Sequence, residues 1–334
     1  MWAGRPRHGG EGNERPGFPA CATTDQGGRA RGMSWLIFAF AAPVLWAAST
    51  HIDKYLVDRY FHRGSVAVLL VFTAATGLVV APAVWLLQPG SFTLPLRNIV
   101  LIVGAGVLSM EALLLYLDAL QTETASSVVP WFQTAPLFGY ALGYLLLGET
   151  LSPRQIAGGA AIMAGTVLLS LGGAASGKRF KLRLAGLMLA SAFMLGLSTA
   201  VFKLFAIEDE FWATMAWTGV GQVIFGLGLL APAANRHRLR VMLGGNTGAV
   251  ITVNAMNEAV NLAGSLAQRY ALLLAPLSLV QAVGGTGPLF VFLFGVALSF
   301  VRPVLGSEDL SPPNLVRKAG AAILVAIGVI AVSG

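Results

Sequence analysis

Charged side chains are scarce in this chain of 334 residues: Asp, Glu, Lys and Arg together make up 11%, against 56% hydrophobic residues. A soluble domain normally carries about a quarter charged residues. Too little polar surface exists here to cover a water-exposed globule, and the same composition excludes a disordered chain, which would be polar. Cysteine is nearly absent. The single Cys21 excludes an internal disulfide and any cysteine-based metal centre. The sequence holds no HExxH, no GxSxG, no P-loop and no dinucleotide glycine fingerprint, so the motifs point to no enzyme, no metal and no cofactor. The formal charge of +7 comes from basic residues scattered in short loops, with no accompanying aromatic stripe. That pattern excludes nucleic acid as the partner and suits loops that flank membrane spans.

Long apolar runs are abundant. Forty glycines and sixteen prolines lie mostly inside them, as in membrane helices, whose freed backbone groups are satisfied by neighbouring helices. Residues 1–32 stand apart. They are rich in Gly, Arg and Glu and lack the apolar core of a signal peptide. They read as a disordered tail or as a mis-assigned start ahead of Met33, where the sequence turns apolar.

A bilayer core of roughly 30 Å requires about 20 apolar residues as helix. The spacing predicts spans near 34–54, 65–87, 98–119, 124–147, 154–173, 184–206, 211–231, 247–268, 272–300 and 316–333. The expected fold class is therefore an all-α integral membrane protein of about ten helices.

The two halves resemble each other. Ala119-Leu120, Ser126, Val128, Thr134-Ala135-Pro136-Leu137-Phe138 and Gly143 are matched by Ala271-Leu272, Ser278, Val280, Thr286-Gly287-Pro288-Leu289-Phe290 and Gly295. Leu151-Ser152-Pro153 matches Leu310-Ser311-Pro312. Ser49-Thr50 with Lys54 matches Ser198-Thr199 with Lys203. Three matches in the same order indicate duplication, with repeats at 33–175 and 182–334. Five spans per repeat is an odd number, so the repeats are expected to sit inverted in the membrane, a common plan of secondary transporters.

Against this background the chain from residue 33 onward resembles the EamA-type family of the drug/metabolite transporter superfamily. The resemblance rests on Leu45-Trp46 with a lysine at the end of the first span, and on Ala119-Leu120 leading into Ala125-Ser126. It also rests on Gly148-Glu149-Thr150-Leu151 leading into Gln155, Gly158 and Gly165, and on Ala271-Leu272 followed by Ala275-Pro276 and Ser278. The second half departs from the pattern, with Gly306-Ser307-Glu308-Asp309-Leu310 in place of the glycine-glutamate turn. The resemblance implies two inverted five-helix repeats around a central cavity with alternating access. It implies a small metabolite or drug-like solute as partner, and it supplies no binding residue.

Candidate residues come from polar groups at membrane depth, which are costly and usually face a cavity or a partner. Asn254, Asn257, Glu258, Asn261, Ser265 and Gln268 recur along the eighth span. Glu111 and Asp118 share a face of the third. Trp46, Thr50 and Asp53 share a face of the first, beside Ser49, His51 and Lys54. Pro130 and Pro136 break the fourth span, and Pro276, Gly284, Gly285, Gly287 and Pro288 break the ninth. Gln133, Thr134, Gln281 and Thr286 sit beside these breaks. These residues are expected to line a translocation cavity, with Glu258 and Glu111 binding solute or a coupling proton. Interhelical hydrogen bonding is the competing account of the asparagines, and snorkelling is that of Asp53, Lys54 and Asp118. Glu149 is expected to cap the fifth span.

The expected protein is a multi-pass transporter of the cell or inner membrane. A non-transporting receptor or scaffold and a membrane-embedded enzyme remain as alternatives. Loops after the odd-numbered spans hold most basic residues, including Arg59, Arg63, Lys178, Arg179, Arg236, Arg238 and Arg302. This count places both termini outside; the resemblance implies termini inside.

Overall fold

The computed structural model describes residues 26–60, 66–89, 93–122, 131, 134–170, 182–208, 210–245, 247–301 and 312–333. The described residues contain helices and connections and no strand. The first half supplies α1 (Gln26–Tyr60), α2 (Val66–Ala75), α3 (Gly77–Leu87), α4 (Leu96–Thr122), α5 (Ala135–Leu147) and α6 (Pro153–Ser170). The second supplies α7 (Leu182–Glu208), α8 (Phe211–Leu229), α9 (Ala233–Gly245), α10 (Thr247–Leu274), α11 (Leu277–Gly284), α12 (Gly287–Val301) and α13 (Pro312–Ser333). The first helix begins at Gln26, upstream of Met33.

Local chemistry fixes several ends. Pro136 lies in the first turn of α5, and Gly148 ends that helix at φ 64°, a left-handed conformation that only glycine adopts without strain. Helix α6 opens with a reciprocal capping box. The Gln155 N–H donates to Ser152 Oγ at 3.2 Å, and the Ser152 N–H donates to Gln155 Oε1 at 3.0 Å. Pro276 separates α10 from α11, and Gly285-Thr286 separates α11 from α12.

Six segments are long and apolar enough to cross a membrane: Trp35–Ile52, Val66–Leu87, Leu96–Ala119, Leu182–Ile207, Leu277–Leu298 and Val316–Ser333. Helix α8 with α9, bent by 98°, would make a seventh. This is fewer than the ten expected. Part of the span expected at 124–147 lies outside the described residues, and the described helix there is α5 (Ala135–Leu147). Helix α6 starts on Arg154 and Gln155 and is rich in glycine. Helix α10 carries asparagines, Glu258, Gln268 and Arg269, which lower its hydropathy as a cavity wall would.

Helix α1 packs against α10 and α12, α4 against α7 and α8, α3 against α8, α5 against α7 and α11, and α6 against α13. Helices of the first half therefore pack mainly on helices of the second. The crossing of α4 with α8 is close because both helices carry glycine there. A Cβ on Gly106 would come within 2.1 Å of the Thr218 carbonyl oxygen, and one on Gly221 within 2.1 Å of that of Val103. The largest buried cluster gathers Trp35, Phe202, Met215, Leu272, Leu277 and Val280. Large apolar side chains such as Leu87, Leu145, Leu227 and Ile330 point outward, as they do from helices bathed in lipid.

Candidate functional site

The polar stripe of α10 is the organising element. Turning about 100° per residue, Asn254, Glu258, Asn261, Ser265 and Arg269 fall along one side of the helix. Glu258, Asn261, Ser265 and Arg269 line a cavity of about 60 Å³, closed on the other sides by α2, α3 and α8, with Thr73 and Gln222 among its walls. The cavity has room for a few ordered waters. Thr73 donates its hydroxyl to Glu258 Oε1 at 3.1 Å and also to the Leu69 carbonyl at 3.4 Å. At the other end, Arg269 Nη1 lies 2.8 Å from Met215 Sδ, and the guanidinium sits 4.5 Å over the Phe202 ring. Gln222 reaches Ser109 Oγ of α4 at 3.4 Å.

The other expected residues are placed differently. Asn257 is rotated about 100° from Glu258 and is buried, accepting a 2.7 Å hydrogen bond from Ser49 of α1. It lies in the seam between α1 and α10, where interhelical hydrogen bonding is its job. Asn254 is buried too, and Trp46 packs its indole nitrogen close to Gly264 of α10. Thr50 is exposed and donates to the Trp46 carbonyl of its own helix at 2.9 Å. Thr134 and Thr286 likewise donate to carbonyls three residues back, those of Trp131 and Val283, both at 2.6 Å. Gln281 is buried where α11 crosses Gly139 of α5, and neither amide atom has a hydrogen-bond partner among the described residues. Glu111 is half-buried on α4 and is not part of the cavity wall. Asp118 pairs with Arg183 at 3.7 Å, both exposed, an arrangement of small energetic consequence. Gln133 and the side chain of Asp53 lie outside the described residues.

Positions matched between the two halves of the sequence make similar bonds. Thr50 and its counterpart Thr199 both donate to the carbonyl one turn back, Thr199 to that of Leu195 at 2.6 Å. Thr134 and Thr286 do the same three residues back. Ser49 reaches across to α10 and its counterpart Ser198 reaches across to α4, donating to the Ala105 carbonyl at 2.7 Å.

Glu149 does not cap α6, because Ser152 and Gln155 already do. It spans the two halves instead. Glu149 Oε1 lies 2.5 Å from the buried Lys203 Nζ, and Oε2 accepts the Leu277 N–H, the first of α11, at 2.8 Å. Lys203 also donates to the Ala275 carbonyl at 2.5 Å, just before the Pro276 break. Thr73, Gln222 and the Glu149–Lys203 partnership were not legible as site residues. Arg269 was: it continues the α10 stripe four residues beyond Ser265, and only a predicted span ending at 268 excluded it. No group of three or more His, Cys, Asp or Glu that could hold a metal occurs among the described residues.

Residues 33–171 match the model of the EamA-like transporter family. That stretch is an EamA-like domain. It places the chain's first half in the drug/metabolite transporter superfamily, whose members are transporters. With the apolar helices it makes this a multi-pass integral membrane protein. No curated protein gives a significant match. Among solved structures, 28 chains do. One crystal structure is 19% identical and covers 89% of this chain and 96% of its own, with a TM-score of 0.60. At that identity the likeness concerns the fold alone. The EamA-like domain contributes α2 and α3 to the cavity; α8 and α10 come from beyond the matched residues.

Proposed function

We propose that the protein is a secondary transporter of a small solute, working by alternating access between two inverted five-helix repeats in the cell or inner membrane. The observation that carries this reading is the polar cavity between the halves, with a carboxylate and a guanidinium on its walls in a largely apolar bundle. Charges at that depth are expensive and mark solute or proton paths.

The packing supports the two-repeat plan. Under the repeat, α1 on α10 corresponds to α7 on α4, and both pairs pack closely. The correspondence fails at one place. Helix α4 meets α8 backbone to backbone at Gly106 and Gly221, whereas the equivalent approach of α10 to α2 and α3 is loose and holds the cavity. One closed seam and one open seam, related by the repeat, is the asymmetry an alternating mechanism exchanges between its two states. Glu258 would carry the coupling proton, and Asn261 and Ser265 would hydrogen-bond the solute.

The test is uptake and efflux in reconstituted vesicles, over a panel of metabolites, with and without a pH gradient. Movement that Glu258→Gln reduces supports the reading. A folded protein that moves no solute under any gradient overturns it and favours a receptor or scaffold.

A further inference from the structure

Arg269 carries a full positive charge at the wall of the cavity, and nothing among the described residues neutralises it. Its contacts are a thioether and a phenyl ring, Met215 and Phe202. A sulfur is a weak acceptor and an aromatic face is a partial one. No carboxylate among the described residues pairs with Arg269. Glu258 stands 11 residues away on the same helix, a rise of roughly 16 Å, too far to serve as its counter-ion. Arginine does not shed its proton in a protein. A cation held in an apolar surrounding without its partner is costly, and the cost is recovered when an anion arrives.

The geometry fits such an anion. Helical side chains lean toward the helix N-terminus, which turns Arg269 into the cavity and toward Ser265. The Phe202 ring lies 4.5 Å from the guanidinium carbon and one Nη1 N–H is directed at Met215 Sδ; the remaining N–H groups can meet a planar or tetrahedral oxyanion. Ser265, one turn below, adds a hydroxyl donor, and Asn261 adds an amide. The volume of about 60 Å³ suits one oxyanion group in place of a few waters.

We infer that Arg269 is the anion-binding end of this cavity and that the solute bears a carboxylate or phosphate group. The inference rests on the proposed function only in using the same cavity. It is tested with the full chain in lipid nanodiscs by thermal unfolding at fixed ionic strength. The probes are succinate and inorganic phosphate, with glycerol and putrescine as uncharged and cationic controls. One of the two anions is expected to raise the melting temperature of the parent protein, which also tells carboxylate from phosphate; the controls are expected to have no effect. Arg269→Gln should weaken the apparent affinity at least about tenfold, and Arg269→Lys, which keeps the charge and loses the fork, should fall between. The idea is overturned if neither anion acts on the parent protein, or if Arg269→Gln binds the anion as well as the parent does. Should Arg269→Gln not fold, Arg269→Lys decides: unchanged affinity overturns the inference. Vesicles that move neutral or cationic solutes while anions stay inert overturn it and leave transport standing. Anion binding that depends on Arg269 in vesicles through which nothing moves does the reverse.

Discussion

Lys203 and Glu149 meet at 2.5 Å across the boundary between the two halves of the chain, and together they hold the break between α10 and α11. Each end of the pair has a second task. The lysine occupies the carbonyl of Ala275, and the glutamate receives the first N–H of α11. The pair thereby satisfies backbone groups that the Pro276 interruption sets free, in a place where water is scarce. Removing one partner leaves the other buried and unsatisfied, which costs about 3–5 kcal/mol. Glu149→Gln and Lys203→Met should each lower the thermal unfolding temperature sharply in detergent. The double variant Glu149→Leu with Lys203→Met should recover a large part of the loss. Equal melting of all variants would show that the pair contributes nothing.

Glu258 and Asn257 are adjacent in sequence and face different surroundings, so their substitution should separate transport from stability. Glu258→Gln keeps the shape and a hydrogen-bonding group beside Thr73 and removes the charge. Solute uptake is expected to fall about tenfold or more and to lose its dependence on a pH gradient, the full loss of a transition between charged and neutral forms. Asn257→Ala removes the acceptor of the Ser49 hydroxyl. It should cost about 1 kcal/mol of stability and leave the pH dependence of uptake in place. Vesicle uptake together with melting temperature reads both.

Part of this fold is legible in the sequence itself. The apolar runs located the helices, because a membrane demands a fixed length of apolar helix. The polar residues of α10 stood out because their cost demands a reason. What the sequence could not carry was the direction of individual side chains. Asn257 and Glu258 differ by one residue and hence by a quarter turn, and only packing tells which faces α1 and which faces the cavity. Thr50, Thr134 and Thr286 looked like cavity hydroxyls and instead satisfy carbonyls of their own helices, a local bond open to any threonine in a helix. Glu149 lay in a turn where capping α6 was the nearest task. Its partner, Lys203, is 54 residues away in sequence (203 minus 149), and such a meeting is a property of the tertiary fold.

Gly106 and Gly221 should be intolerant of any side chain. An added Cβ at either meets a backbone oxygen at 2.1 Å, and backbone, unlike a flexible side chain, cannot step aside. Gly106→Ala or Gly221→Ala must push α4 from α8. Overpacking of this kind costs about 1–3 kcal/mol. Gly104→Ala, on the same helix with nothing within 4 Å of the new atom, is the matched control and should melt like the parent. If the seam between α4 and α8 is the closed one in an alternating cycle, the two seam variants should also shift accessibility. A cysteine placed at Ser109 of the Gly106 seam should then react faster with a water-soluble thiol reagent than it does behind intact glycines.

The two-repeat plan makes a topological prediction that is independent of any solute. With ten crossings, the turn at Ser152 and the chain end at Ser333 lie on one face of the membrane. Helix α9, bent by 98° from α8, lies on the other. Helix α9 carries Arg236, His237, Arg238 and Arg240, and Arg236 donates to the Leu230 and Ala231 carbonyls at the end of α8. It has the composition of a helix resting among headgroups. Single cysteines at Ser152, Arg238 and Ser333, in a chain with Cys21 replaced, should label with an impermeant maleimide from opposite sides: Ser152 and Ser333 together, Arg238 from the other. An odd number of crossings between them would leave Ser152 and Ser333 on different sides. By the distribution of basic residues the face holding Arg238 is the cytoplasmic one, so in intact cells Arg238 should be the protected position. Labelling of Arg238 from outside would reverse the orientation and still preserve the repeat, whereas labelling that splits Ser152 from Ser333 would remove it.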